Sequence, residues 1–167
     1  MEINCAWRPP RNLAARPDRR RIKQLIRRAA ELAGLPAESD YAFSVRFIAD
    51  RAMAAANEAF VGHAGPTDVI TFSYLDDPDS LFPGDVAVEL LVGIEAARRE
   101  SETRAGATFA SELALYVVHG FLHAAGEDDL TPAPRKRMRR REREVMRVLR
   151  TEFDLESLFA AEAAGAE

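Results

Sequence analysis

Residues 113–129 read Leu113-Ala114-Leu115-Tyr116-Val117-Val118-His119-Gly120-Phe121-Leu122-His123-Ala124-Ala125-Gly126-Glu127-Asp128-Asp129. The segment from about Thr108 to Ala125 is apolar nearly all round, which predicts a helix buried on every side rather than an amphipathic surface helix. A helix of that kind needs a second layer to pack against. His119 and His123 are four residues apart, so on a helix they share one face, one turn apart, and both can aim a nitrogen at one divalent cation. Gly126 ends the helix, and three carboxylates follow at once, one of which can swing back as a third ligand. Two nitrogens, one oxygen and an open fourth position describe a hydrolytic zinc site. The chain has three histidines, and two of them are used here.

The pattern departs from that of metalloproteases, H-E-x-x-H, whose Glu after the first His is the general base. Gly120 stands in that place, so a proton released at this site must go elsewhere. Glu127 and Asp128 are the candidate acceptors by proximity in sequence, and Asp128 also competes with Asp129 for the metal. Glu112, two helical turns before His119, is a candidate for orienting a ligand from behind. The competing reading is a Glu that caps or salt-bridges near the helix start.

Working towards the N-terminus, Ile3, Cys5 and Trp7 alternate with less apolar residues as in a strand. Asp18 can cap a helix over 19–33, with Ile22, Leu25, Ile26, Ala29 and Ala33 on its buried face, and Gly34 and Pro36 stop it. Residues 41–48 alternate as a second strand. Residues 50–60 are alanine-rich and helical, and a loop over 61–66 leads to a third strand over 67–74. After an acidic turn at 76–79, residues 85–92 form a nearly continuous apolar strand, as expected when both faces are covered. Gly93 opens a short helix to about Thr103. Thr131-Pro132 starts a last helix that runs to about Leu149 or slightly beyond. The expected fold is α+β, a four-stranded mixed sheet packed with about five helices, with the metal-binding helix buried against it. The two strands at 67–74 and 85–92 are joined by a loop that suits an antiparallel hairpin.

A chain of 167 residues with a 47% hydrophobic share suits one domain, expected over 1–159, with 160–167 an Ala/Glu tail. One cysteine, Cys5, excludes an internal disulfide and suits a reducing cytoplasm. No secretory signal and no membrane-spanning run is seen, so a cytoplasmic location is expected. A net charge of −4 argues against wholesale coating by nucleic acid. The local balance differs: Arg135 to Arg143 holds seven basic residues against Glu142. Met138, Val145 and Leu149 supply the apolar stripe of that helix, so most of its arginines must face solvent. Such a stripe can neutralise RNA phosphates. A second cluster, Arg16, Arg19, Arg20 and Arg21, extends it if the fold brings the two together.

The run His119 to Asp129 resembles the signature of the YbeY family, H-G-x-L-H-x-x-G-Y-D-H. A second block resembles the family upstream: Asn57, then Pro66-Thr67-Asp68-Val69-Ile70-Thr71-Phe72, then Gly84-Asp85-Val86. The resemblance implies a single-strand-specific, metal-dependent endoribonuclease acting in rRNA maturation and ribosome quality control, with single-stranded RNA, rRNA and the ribosome as partners. It implies one Zn2+ held by His119, His123 and Asp129, where Asp129 stands in place of the family's third His and Glu127 in place of its Tyr. The added carboxylate makes bound water less acidic than three neutral imidazoles would, and suits manganese or iron as well. The family commonly carries an Arg where this chain has Val61, and His63 in the same loop can replace part of that charge. The alternative function is a ribosome- or rRNA-binding factor with a structural metal and weak or no nuclease activity.

Overall fold

A computed structural model describes residues 1–159. The expected tail at 160–167 lies outside the described residues. Four strands form one sheet: β1 (Glu2–Arg8), β2 (Ala42–Ile48), β3 (Val69–Ser73) and β4 (Val86–Gly93). Their spatial order is β1-β2-β4-β3. β1 runs parallel to β2 and β2 parallel to β4. β3 pairs antiparallel with β4, Thr71 opposite Leu90. The mixed sheet and the hairpin expected from the strand spacing are both present.

Six α-helices accompany it: α1 (Arg19–Ala33), α2 (Asp50–Ala56), α3 (Ile94–Thr103), α4 (Phe109–Ala124), α5 (Pro132–Glu152) and α6 (Leu155–Leu158). Asp18 caps α1 by accepting from the Arg21 backbone N–H at 3.2 Å. Thr108 and Ser111 cap α4 reciprocally, which satisfies two donors that a helix start otherwise leaves bare. α6 lies beyond the expected last helix. Asp154 caps it, and its Leu155 and Leu158 are buried.

The main core lies on one face of the sheet. Phe43, Val45 and Phe47 of β2 and Val88, Leu90 and Val92 of β4 meet Leu113, Val117, Phe121 and Leu122 of α4, with Ile22, Leu25 and Ile26 of α1 beside them. Each such side chain contributes roughly 1.5–3 kcal/mol by leaving water. Cys5 packs partly buried at the edge of this core, and burial raises its thiol pKa. On the opposite face, α2 covers a smaller cluster of Ile48, Met53, Ile70 and Leu91.

Two boundaries differ from the sequence expectation. α2 gives way at Asn57 to a π-helical turn, Asn57–Val61, a local widening of the helix that often accompanies functional sites. Buried Asn57 fixes the loop beyond it, donating from Nδ2 to the Gly65 carbonyl at 2.9 Å. β3 begins at Val69 rather than Thr67, because the Asp68 carboxylate takes the Val69 N–H at 2.8 Å and closes a turn. α5 ends at Glu152, slightly beyond Leu149 as the sequence suggests.

Candidate metal centre

α4 brings His119 and His123 to the edge of the sheet. It can lie so close because position 120 is glycine: a Cβ there would sit 2.7 Å from Leu90 Cδ2 and 3.2 Å from Thr71 Oγ1. Any larger side chain after the first histidine would have to displace the tip of Leu90 in this packing. Gly126, at φ 96°, then turns the chain back in a left-handed conformation that favours glycine. The turn is pinned by the Glu127 N–H on the Leu122 carbonyl, 2.9 Å. Arg135 of α5 donates Nε to the Asp129 carbonyl at 2.9 Å, so the acidic loop is held from both ends.

The result is a convergence of three side chains. His119 Nε2 and His123 Nε2 are 3.0 Å apart. Asp129 places Oδ2 3.6 Å from the first and Oδ1 3.7 Å from the second. Four-coordinate zinc with ligand bonds near 2.0–2.1 Å sets neighbouring donor atoms about 3.3 Å apart, so the three separations bracket what one ion requires. The other ring nitrogens are engaged. His119 Nδ1 meets Glu142 Oε1 at 2.5 Å, and His123 Nδ1 meets the Glu127 carbonyl at 3.1 Å. A carboxylate and a carbonyl only accept, so both Nδ1 atoms carry the protons. In the neutral rings both Nε2 atoms then present lone pairs to each other and to a carboxylate. Such a donor set could hold a divalent cation. Glu142 has the role that orienting carboxylates take behind metal-binding histidines. Burial alone would lower the His119 pKa, but the hydrogen bond and charge of Glu142, with Asp68 and Asp129, outweigh it and raise the value.

Other sequence candidates fall elsewhere. Asp128 accepts the Leu130 N–H at 2.9 Å, closing the turn beside the cluster. Glu127 contributes its carbonyl to His123, while its carboxylate lies 4.0 Å from Arg141. Glu112 is buried and paired with Arg104, so its salt-bridging reading holds and Glu142 orients the histidine. Glu142 was missed as part of a charge run. Its signal is its spacing, four residues after buried Met138 and three before buried Val145, which turns this acid inward. Asp85 closes a turn by accepting from Phe82 N–H at 2.9 Å.

Two clefts open onto the cluster. One of about 550 Å³ includes Thr67, Asp68, Arg104, His119, Asp129 and Arg139 in its wall. The other, about 440 Å³, has Asn57, Val61, His63, Thr71, His119 and His123. Thr67 and Asp68 therefore combine a turn with a place on the cleft wall. The side chains of His119, His123 and Asp129 stay 23%, 30% and 37% exposed, open to water and substrate. The arginines around the start of α1 are elsewhere: Arg21 bonds Ser157 of α6, and Arg16, Arg19, Arg20 and Arg21 line neither cleft.

The family model described as Endoribonuclease YbeY matches residues 11–150. The chain belongs to the YbeY family. Proteins named Endoribonuclease YbeY are similar along much of it. That of Rhodopirellula baltica is 40% identical over 112 residues, 66% of this chain but 55% of that protein. Those of Chelativorans sp. and Anaeromyxobacter sp. are 34% and 33% identical, covering 77% and 88% of this chain and 79% and 71% of theirs. The solution structure of TM1509 from Thermotoga maritima shares the fold, with a TM-score of 0.51 at 21% identity, over 98% of this chain and 99% of that one. Within the YbeY match lie both histidines, the acidic turn and Glu142. No helix among the described residues is long and apolar enough to cross a membrane.

Proposed function

We propose that residues 1–159 form one metal-dependent endoribonuclease domain that cleaves single-stranded RNA in rRNA maturation and ribosome quality control, in the cytoplasm, with rRNA and the ribosome as its targets. His119, His123 and Asp129 hold one Zn2+. The observation that carries this reading is the meeting of two imidazole Nε2 atoms and a carboxylate, with both Nδ1 atoms hydrogen-bonded to acceptors behind them. A bound divalent ion supplies an activated water and stabilises negative charge on the phosphoryl oxygens.

The chain's own residues do the rest. Glu142 and the Glu127 carbonyl fix the ring tautomers. Arg135 holds Asp129 by its carbonyl. Asp68 and Thr67 border the cleft where a phosphodiester would lie. Of the two proton-acceptor candidates, Glu127 acts through its carbonyl and Asp128 through the turn it closes. Asp128→Asn tests this assignment, since the amide oxygen can still accept from Leu130. Activity within about threefold of wild type supports the turn role, whereas a loss in the range of about 10²–10⁴ marks a general base.

The decisive assay is end-labelled single-stranded and duplex RNA incubated with zinc or chelator, beside His123→Ala. Internal cutting of the single strand that needs metal and His123 supports the reading. RNA that is bound but intact under zinc, manganese and iron overturns it in favour of a binding factor. The observation favouring that second reading is Val61, exposed where the family resemblance expects arginine, with His63 beside it in the same cleft wall. Elemental analysis of the purified chain beside Asp129→Ala tests the choice of zinc and the third ligand together.

A further inference from the structure

The larger cleft continues past His119 into a hollow of about 360 Å³ between α4 and α5. Arg104 and Arg139 stand in the wall of both, and Arg143 and Arg150 extend the line into the second. Arg104 is fixed by the buried carboxylate of Glu112, yet its side chain remains 49% exposed. Arg139, Arg143 and Arg150 are exposed and have no ion pair or hydrogen bond from their side chains among the described residues. Some arginines elsewhere are ion-paired, Arg28 with Glu152, Arg46 with Glu89 and Arg99 with Asp50; what sets Arg139, Arg143 and Arg150 apart is that they share the wall of one hollow. The acids of this groove are already committed, Glu112 to Arg104 and Glu142 to His119. Spacings of four and seven put Arg139, Arg143 and Arg150 on one face of α5, a row about 16 Å long at 1.5 Å per residue. Like charges held along a hollow whose own two acids, Glu112 and Glu142, are engaged elsewhere attract a polyanion.

We propose that this groove is the subsite for the RNA segment flanking the scissile bond, its phosphates running from the metal cluster past Arg104 and Arg139 to Arg143 and Arg150. The identity of the anion as RNA rests on the proposed nuclease function. The row is a directional track: Arg137 and Arg140 of α5 lie on a different face and line neither hollow.

The test measures binding of a fluorescent single-stranded oligoribonucleotide by the full chain in chelator, where cutting cannot intervene, across a salt series. Arg139→Gln/Arg143→Gln is compared with the charge-matched Arg137→Gln/Arg140→Gln, and circular dichroism melting checks the fold of both. The groove pair is expected to bind at least about tenfold more weakly, with a log–log salt slope smaller by about 1.4, at about 0.7 for each single-strand phosphate contact. The control pair is expected to stay within about threefold. Equal losses in the two pairs, an unchanged groove pair, or a wild-type chain with no salt-dependent RNA binding each overturn the track. Wild-type binding that depends on the groove pair, without metal-dependent cutting, instead upholds the track and removes the nuclease.

Discussion

At the scale of single residues, Glu142 carries more than its place among arginines suggests. It meets His119 Nδ1 at 2.5 Å and so decides which ring nitrogen faces the cluster. Glu142→Gln retains the shape but removes the charge. A loss of metal affinity of about 10–100-fold is the expected consequence of disturbing such a partner, measured by competition with a chromophoric zinc chelator. Affinity within a factor of two of wild type would make Glu142 a bystander. The two histidines could be read from their spacing of four. Their orientation could not, because the groups that set it are an acid 23 residues away and a main-chain carbonyl that has no side-chain signal.

Among the elements, α4 decides most. Its burial was readable because apolar residues surround it, but its closeness to the hairpin depends on position 120 alone. Gly120→Ala brings a Cβ against the tip of Leu90, a fully buried side chain that must shift to make room. Overpacking of this sort costs about 1–3 kcal/mol, against about 1 kcal/mol gained from helix propensity. A net destabilisation of up to about 2 kcal/mol is expected by urea unfolding, together with weaker metal binding as the helix is pushed off the sheet. An unchanged or raised midpoint would show that the contact is slack. The π turn after α2 marks the opposite case. Its residues look helical, and only the pull of Asn57 on the Gly65 carbonyl and the C-terminal Gly62 reveal where the helix widens.

For the whole molecule, the cluster ties α4 to the loop before α5, so a bound ion joins two parts of the fold. Zinc at about 100 times its dissociation constant is expected to add about 2.7 kcal/mol to stability, seen as a raised Tm that chelator reverses. Asp129→Ala should lose most of that increment while its chelated form melts close to wild type, since Asp129 is partly exposed. No zinc-dependent change in wild-type Tm would count against the site.

Glu112 makes a second prediction at the scale of the whole molecule. Burial raises its pKa, and the Arg104 charge and hydrogen bond only partly oppose this. The native state therefore holds this proton at pH values where the unfolded chain has released it. Stability from this group falls as pH rises from the ordinary carboxylate range through the raised native value. Glu112→Gln should flatten that decline in chemical denaturation curves taken across pH, and a parallel curve would mean the group does not govern it.

By its residue order alone the chain determined the strands, most helix limits, the metal-ligand spacing and the arginine-rich face. These follow from local rules: apolar periodicity, caps, glycine stops and the turn of a helix. Only the tertiary structure decided that Glu142, not Glu112, stands behind His119, that Asp128 closes a turn beside the cluster, and which row of α5 faces the groove. Those outcomes depend on which side chains the packing of α3, α4 and α5 brings within bonding distance, and hydrogen bonds between residues far apart in the chain leave no period in the sequence to read.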